Sequence, residues 1–285
     1  MNADTQTFFL FIAEYHPLIE KLLMTTGLCS MRILAAFTVL PAAAEQFIMG
    51  GIRNGLILMI GVYVAFGQPL EMAHHLTMAQ WIGHAVKETM IGLLMGFAAS
   101  TVFWTAECVG AMIDTQAGYN SVQMSNPLSG EQSTPVSNLL LQMVVAVFFM
   151  LGGMLVFIGA LFDSYHVWPV MTALPDASRL PDVFIGQQIQ TLMVGVVKFA
   201  APVLLILVLI DLGIGLITRA ADKLEPSSLS QPIKGAVTML MLALLAGTMI
   251  NQVKHLLLPT GILRQMQSTL PAAKGEDGAS ESPKH

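Results

Sequence analysis

Apolar residues in this chain come in long uncharged runs. Four of them, residues 54–70, 89–106, 132–162 and 235–253, are 17, 18, 31 and 19 residues long. About 20 helical residues at ~1.5 Å each cross a hydrocarbon core about 30 Å thick, so each run is long enough, or nearly so, for a spanning helix. Two further runs are interrupted: residues 22–44 by Arg32, and residues 183–216 by Lys198 and Asp211 with Pro202 between them. The pattern predicts an all-α, polytopic helical membrane protein of about six long apolar helices or hairpins.

The interruptions change what the helices can face. A charge at the centre of a membrane helix costs roughly 2.5–3.5 kcal/mol on insertion scales, so the helices around Arg32, Lys198 and Asp211 should face protein or water. Residues 80–112 and 187–219 hold their apolar character for 33 residues each, about 50 Å as helix. They must tilt, kink or fold as hairpins within an assembly thicker than a bilayer. Pro202 removes one intrahelical hydrogen bond and bends the second.

Polar segments separate the runs. Residues 114–135 are rich in Gly, Ser, Asn and Gln, residues 164–186 hold Asp176, Arg179 and Asp182, and residues 220–232 hold Asp222, Lys223 and Glu225. The division expected is a single helical membrane domain over 1–270, with a loop at 116–132, and a disordered tail at 271–285. Arg219, Lys223 and Lys234 favour a cytoplasmic loop, but Lys254 and Arg264 oppose the orientation that follows, so charge assigns no topology. The first basic residue is Lys21, which does not suit a secretory signal.

Composition sharpens the class. Only 31 of 285 residues are charged, 13 basic and 18 acidic, or 11% against about 25% in an ordinary soluble domain, and the mean hydropathy is +0.68. A net charge of −5 offers no basic patch for nucleic acid. Cys29 and Cys108 lack metal or redox spacing and read as small apolar residues. There is no phosphate-binding loop, HExxH or GxSxG, and Gly213-Ile-Gly215 lies inside an apolar run. His74-His75 reads as an exposed loop pair. No enzyme, cofactor or metal site is expected.

What stands out is charge within apolar sequence. Glu107 and Asp114, seven apart, share a face of a continuing helix. Lys87 and Glu88 are adjacent, so their side chains diverge by about 100° and each is expected to need a partner elsewhere. Such groups form salt bridges between packed helices or line a water-filled path. One reading of the second kind is an ion-coupled transporter using Lys198, Asp211, Glu107 and Asp114. Gly51-xxx-Gly55 and Gly92-xxx-Gly96 predict close helix crossings.

Several segments together resemble a known family, the T-type inner-membrane subunit of the type III secretion export apparatus, related to the flagellar protein FliR. The resemblance spans roughly residues 20–260. It is carried in order by Arg32, Pro41 and Arg53; by Lys87-Glu88 and Gly92-xxx-Gly96; by Ile113-Asp114-Thr115-Gln116-Ala117-Gly118; and by Asn126-Pro127-Leu128-Ser129-Gly130. Gly152-Gly153, Ser164-Tyr165, Ala201-Pro202, the stretch from Asp211 to Arg219, and Leu229-Ser-Gln-Pro232-Ile-Lys234 complete it. The sequence departs from the family's pattern at Asp222-Lys223-Leu224-Glu225.

The resemblance implies a non-catalytic subunit of a conical gate through which unfolded secreted proteins leave the cytoplasm, in the basal body of a secretion system, and it leans toward a virulence injectisome without separating that from a flagellar machine. It implies R-type and S-type subunits, a U-type switch protein and membrane lipid as partners. It implies that Asp114, Gln116, Gly118, Asn126, Pro127 and Gly130 belong to a loop plugging the pore. Arg32, Arg53, Lys87, Glu88, Glu107, Asp211 and Lys234 are expected to make polar contacts between helices or subunits, with Lys234 after Pro232 marking the start of the last helix.

Overall fold

A 40-residue helix, Met78–Ala117, forms the axis of the molecule. The structure, a computed structural model, describes residues 3–68, 77–119, 124–125, 132–172, 185–220 and 226–257. In chain order these form α1 (Ala3–Val39), α2 (Gly50–Phe66), the axial helix α3, a two-residue antiparallel ladder of β1 (Met124–Ser125) with β2 (Gln132–Ser133), α4 (Pro135–Met150), α5 (Gly153–Val167), α6 (Gly186–Ala220) and α7 (Pro226–Leu257). The chain is thus helical among the described residues, apart from that short ladder. α1, α4, α6 and α7 all pack on α3.

The axial helix has defined ends. Thr77 caps its start, its hydroxyl accepting from the Gln80 N–H while the Gln80 side chain returns to the Thr77 N–H. It stops where Gly118 takes φ +85° and donates its N–H to the Asp114 carbonyl, the left-handed cap that glycine adopts without strain.

Small residues bring its neighbours close. A Cβ on Gly92 would collide with the Arg32 carbonyl, and one on Gly96 would lie 2.7 Å from the Ala36 carbonyl oxygen. Gly92-xxx-Gly96 is therefore the crossing point of α1 and α3, as the spacing predicts. Gly110 plays the same part against Ser137 at the start of α4. Gly51 and Gly55 do not behave this way: both face open space, and it is Gly61 of α2 that meets α1, at Ser30. Gly92→Ala is expected to destabilise the detergent-solubilised chain by about 1–3 kcal/mol through overpacking against backbone. Gly51→Ala should leave its thermal midpoint unchanged or slightly raised, and paired melting curves check the contrast.

Among the described residues the count of crossings is close to, and a little under, the figure of about six that the apolar runs suggest. Four helices among the described residues are long and apolar enough to cross a membrane, and a fifth crossing arises if α4 and α5 act as one. The uncharged run 132–162 is broken at Gly152, φ +73°, where α4 and α5 meet at 70°. The run at 54–70 yields only the 17-residue α2, just under the length of a full crossing. The two overlong segments are single helices, since α3 and α6 run 40 and 35 residues without a break, Pro202 included. α7 likewise runs through Pro232 and starts at Pro226, not at Lys234. One missing N–H weakens one bond of the ladder without ending the rod.

Burial is uneven. The apolar core centres on α1, α3 and α4 and takes side chains from the other helices, with Phe37 of α1 against Phe157 of α5 and Phe103 of α3 against Phe148 of α4. In the most apolar stretch of α3, 67% of residues are buried, against 28% in α6 and 22% in α7.

Candidate functional site

The charges of α1 and α3 converge on one buried knot. Glu88 takes Arg32 in a two-pronged grip, Nε to Oε2 at 2.7 Å and Nη2 to Oε1 at 3.0 Å, the strong geometry for guanidinium and carboxylate. The other prongs of Arg32 reach α5: Nη1 donates to Ser164 Oγ at 2.9 Å and Nη2 to the Trp168 carbonyl at 2.8 Å. The guanidinium lies 4.0 Å above the Tyr165 ring, and the Tyr165 hydroxyl donates to the Cys29 carbonyl at 2.6 Å. Lys87 Nζ donates to the carbonyls of Pro169, Val170 and Thr172 at 2.9, 2.6 and 3.1 Å.

Lys87 and Glu88 also touch, Nζ to Oε1 at 3.0 Å, so the expectation that neighbours cannot pair is overturned. Their Cβ atoms diverge, but both side chains are long enough to curve back to one point between α3 and the end of α5. Arg32, Lys87 and Glu88 are 0%, 2% and 0% exposed. Two cations share one carboxylate, and the surplus positive charge is met by carbonyls at and just beyond the C-terminus of α5. That is the end at which a helix dipole favours a cation.

A second knot lies at the other end of α3. α4 opens with Pro135 after Thr134, whose side chain makes no capping bond. The cap comes instead from Asp114, fully buried, whose carboxylate accepts the Val136 N–H at 3.0 Å and the Ser137 N–H at 3.0 Å. A carboxylate on the first amides of a helix satisfies orphan donors and complements the dipole. Ser137 Oγ donates to the Glu107 carbonyl at 3.0 Å, so Glu107 and Asp114, on one face as expected, both abut the first turn of α4.

Two residues beyond Asp114, Gln116 points to α6 and α7. Its Nε2 donates to Asp211 Oδ2 at 3.0 Å and its carbonyl accepts from Lys234 Nζ at 3.1 Å. Lys234 and Asp211 form an ion pair at 2.6 Å, with side chains 12% and 39% exposed. Asp114 and Gln116 thus fix the end of α3 on two sides, and β1–β2 draws the following loop together with Met124 opposite Ser133. Of the loop residues named from the sequence, Gly118 is the αL cap, whereas Asn126, Pro127 and Gly130 lie outside the described residues, as do His74-His75, the turn 222–225 and the tail.

The remaining charges stand apart. Arg53 on α2 is 3.9 Å from Glu45 in the connection after α1. Lys198 is exposed on α6 and joins neither knot. The structure therefore does not gather Lys198, Asp211, Glu107 and Asp114 into one site. Sequence reasoning missed Trp168 and Ser137; the bare Thr134-Pro135 helix start was the available signal for the latter. No group of three metal-ligating side chains occurs among the described residues.

Asp114→Ala should remove about 1–3 kcal/mol, the cost of leaving buried amides unpaired. Asp114→Asn should lose less, because its amide oxygen still accepts, and thermal unfolding in detergent separates the two.

Fold and site define a polytopic helical membrane protein whose buried charges hold helices to one another and to the ends of their neighbours. The chain belongs to the bacterial export proteins, family 1, which it matches over residues 23–259. It is 34% identical to Yop proteins translocation protein T of Yersinia pestis over 247 residues, 85% of this chain and 93% of the relative. It is 28% identical to the secretion system apparatus protein SsaT of Salmonella typhimurium, covering 67% of this chain and 74% of that one. With the flagellar biosynthetic protein FliR of Bacillus subtilis it shares 24% identity over 74% and 82% of the two chains. These relatives, with the scattering of its four residues, remove the ion-coupled transporter reading.

Proposed function

We propose that the chain is the T-type subunit of a type III protein export gate in the bacterial inner membrane, within a secretion basal body. It acts without catalysis, as part of the wall and closure of a pore for unfolded proteins. R-type and S-type subunits surround it, and a U-type switch protein associates with them. The single observation that carries this reading is the anchoring of the 116–132 loop: Asp114 and Gln116 pin its start to α4, α6 and α7. The β1–β2 ladder pairs the middle of the loop with its far end, and Asp114 holds the Val136 and Ser137 amides just beyond that end. A segment held at both ends beside a bundle suits a plug that moves within limits. Arg32, Lys87, Glu88 and Glu107 then stiffen the wall, and Arg53, Asp211 and Lys234 contribute contacts at its edges.

The test is native mass spectrometry of the tagged chain, purified in mild detergent from its own host. One copy bound to several copies of two smaller apolar proteins is the expected result. A lone monomer or homodimer that survives purification overturns the proposal.

A further inference from the structure

α6 carries a face that neither lipid nor water matches. Exposed apolar residues run from Ile189 to Ile217, about 42 Å along the axis at ~1.5 Å per residue, against a hydrocarbon core of about 30 Å. Lys198 stands within this length, exposed, and makes no hydrogen bond or ion pair among the described residues. Val194, Leu205, Leu209, Leu212 and Leu216 lie on the same side of the helix at offsets of −4, +7, +11, +14 and +18 and are exposed with it.

Both placements in a bilayer fail. Burying residues 199–217 leaves Ile189, Met193, Val194 and Val197 in water. Burying residues 189–208 sets the Lys198 ammonium near mid-membrane, where a charge facing lipid costs roughly 2.5–3.5 kcal/mol. Arg32, Lys87, Asp211 and Lys234, which also interrupt apolar helices, have partners within the chain.

We infer that in the assembled apparatus the Lys198 face of α6 is covered by an apolar helix of a different subunit, which presents an Asp or Glu carboxylate to Lys198. The inference rests on the export-gate reading and adds to it the chemistry of one contact. An apolar partner covers the surplus length, and a carboxylate removes the cost of the cation, which no stretch of lipid does at once. Such a desolvated pair also sets register, because a slip of one helical turn leaves both charges unpaired.

The test combines crosslinking with charge exchange in the native membrane. A photoreactive residue at Leu205 or Val194 should give an adduct with another apparatus subunit, at a helix bearing Asp or Glu within about one turn of the crosslink. Lys198→Glu should lower recovery of that subunit with the tagged chain by at least about tenfold, leave the chain's own accumulation unchanged, and be rescued by placing Lys at the partner's carboxylate. Lys198→Arg should retain the partner. Adducts with lipid alone, or Lys198→Glu co-purifying as wild type, overturn the inference while an intact assembly on native mass spectrometry leaves the gate reading standing. Adducts with a second copy of this chain overturn the different-subunit contact. Absence of any assembly overturns the gate reading itself.

Discussion

Replacing Glu88 with alanine is expected to strip most of the protein from the membrane. The substitution leaves Arg32 and Lys87 buried with no carboxylate between them, and breaking a buried pair from one side costs about 3–5 kcal/mol. That is a large part of the 5–15 kcal/mol by which folded domains are stable. The carbonyls of Trp168, Pro169, Val170 and Thr172 still solvate the cations, but they already do so in the native chain and add nothing new. Immunoblots of membranes, with melting curves of whatever survives, measure the loss. The double variant Arg32→Met/Glu88→Leu should recover accumulation in part, since it removes both charges and keeps the volume apolar. Glu88→Ala accumulating and melting like the wild type would falsify the claim that this knot holds α1, α3 and α5 together.

The second large effect is on the closed pore. Replacing residues 119–131 with a short Gly-Ser linker keeps Asp114, Gln116 and the Gly118 cap, so α3 still ends against α4, α6 and α7. It removes β1 and the tip between the two strands. If this loop is the plug, cells assembling the variant should leak small ions and depolarise, whereas the wild-type assembly stays tight. Because the anchors remain, loss of closure is separable from loss of the subunit, and co-purification of its partners provides the control. Conductance equal to that of the wild type in an intact assembly removes the plug role from this loop.

These two regions were legible in the sequence to different degrees. Arg32 within an apolar run announces a helix that packs on protein, because the insertion cost allows little else. Its partner, 56 residues away, is set by the α1–α3 crossing, and only Gly92-xxx-Gly96 hinted where that crossing falls. Lys87 was harder. Its ligands are main-chain carbonyls, which every residue carries, so no pattern of side chains points to Pro169, Val170 and Thr172. Asp114 drew notice as a charge in apolar sequence, but its task as the cap of α4 depends on amides 22 and 23 residues further on. The number of crossings was legible only approximately, for a plain reason: an uncharged run measures what can enter a membrane, not whether the backbone continues straight, and Gly152 turns it aside.

The clasp on Lys87 also has a consequence in time. The carbonyls it holds begin 82 residues further along the chain, and Arg32 waits 132 residues for Ser164. At ~5–20 residues per second of synthesis, Lys87 is made roughly 4–16 s before the carbonyls at the end of α5 exist to receive it. During that interval Glu88 alone balances two cations. The newborn α1–α3 pair therefore carries a surplus positive charge into its surroundings, and settles only when the second half of the protein arrives. A ribosome stalled between residues 117 and 168 would hold the chain in that unfinished state, with both cations made and their carbonyl partners still to come.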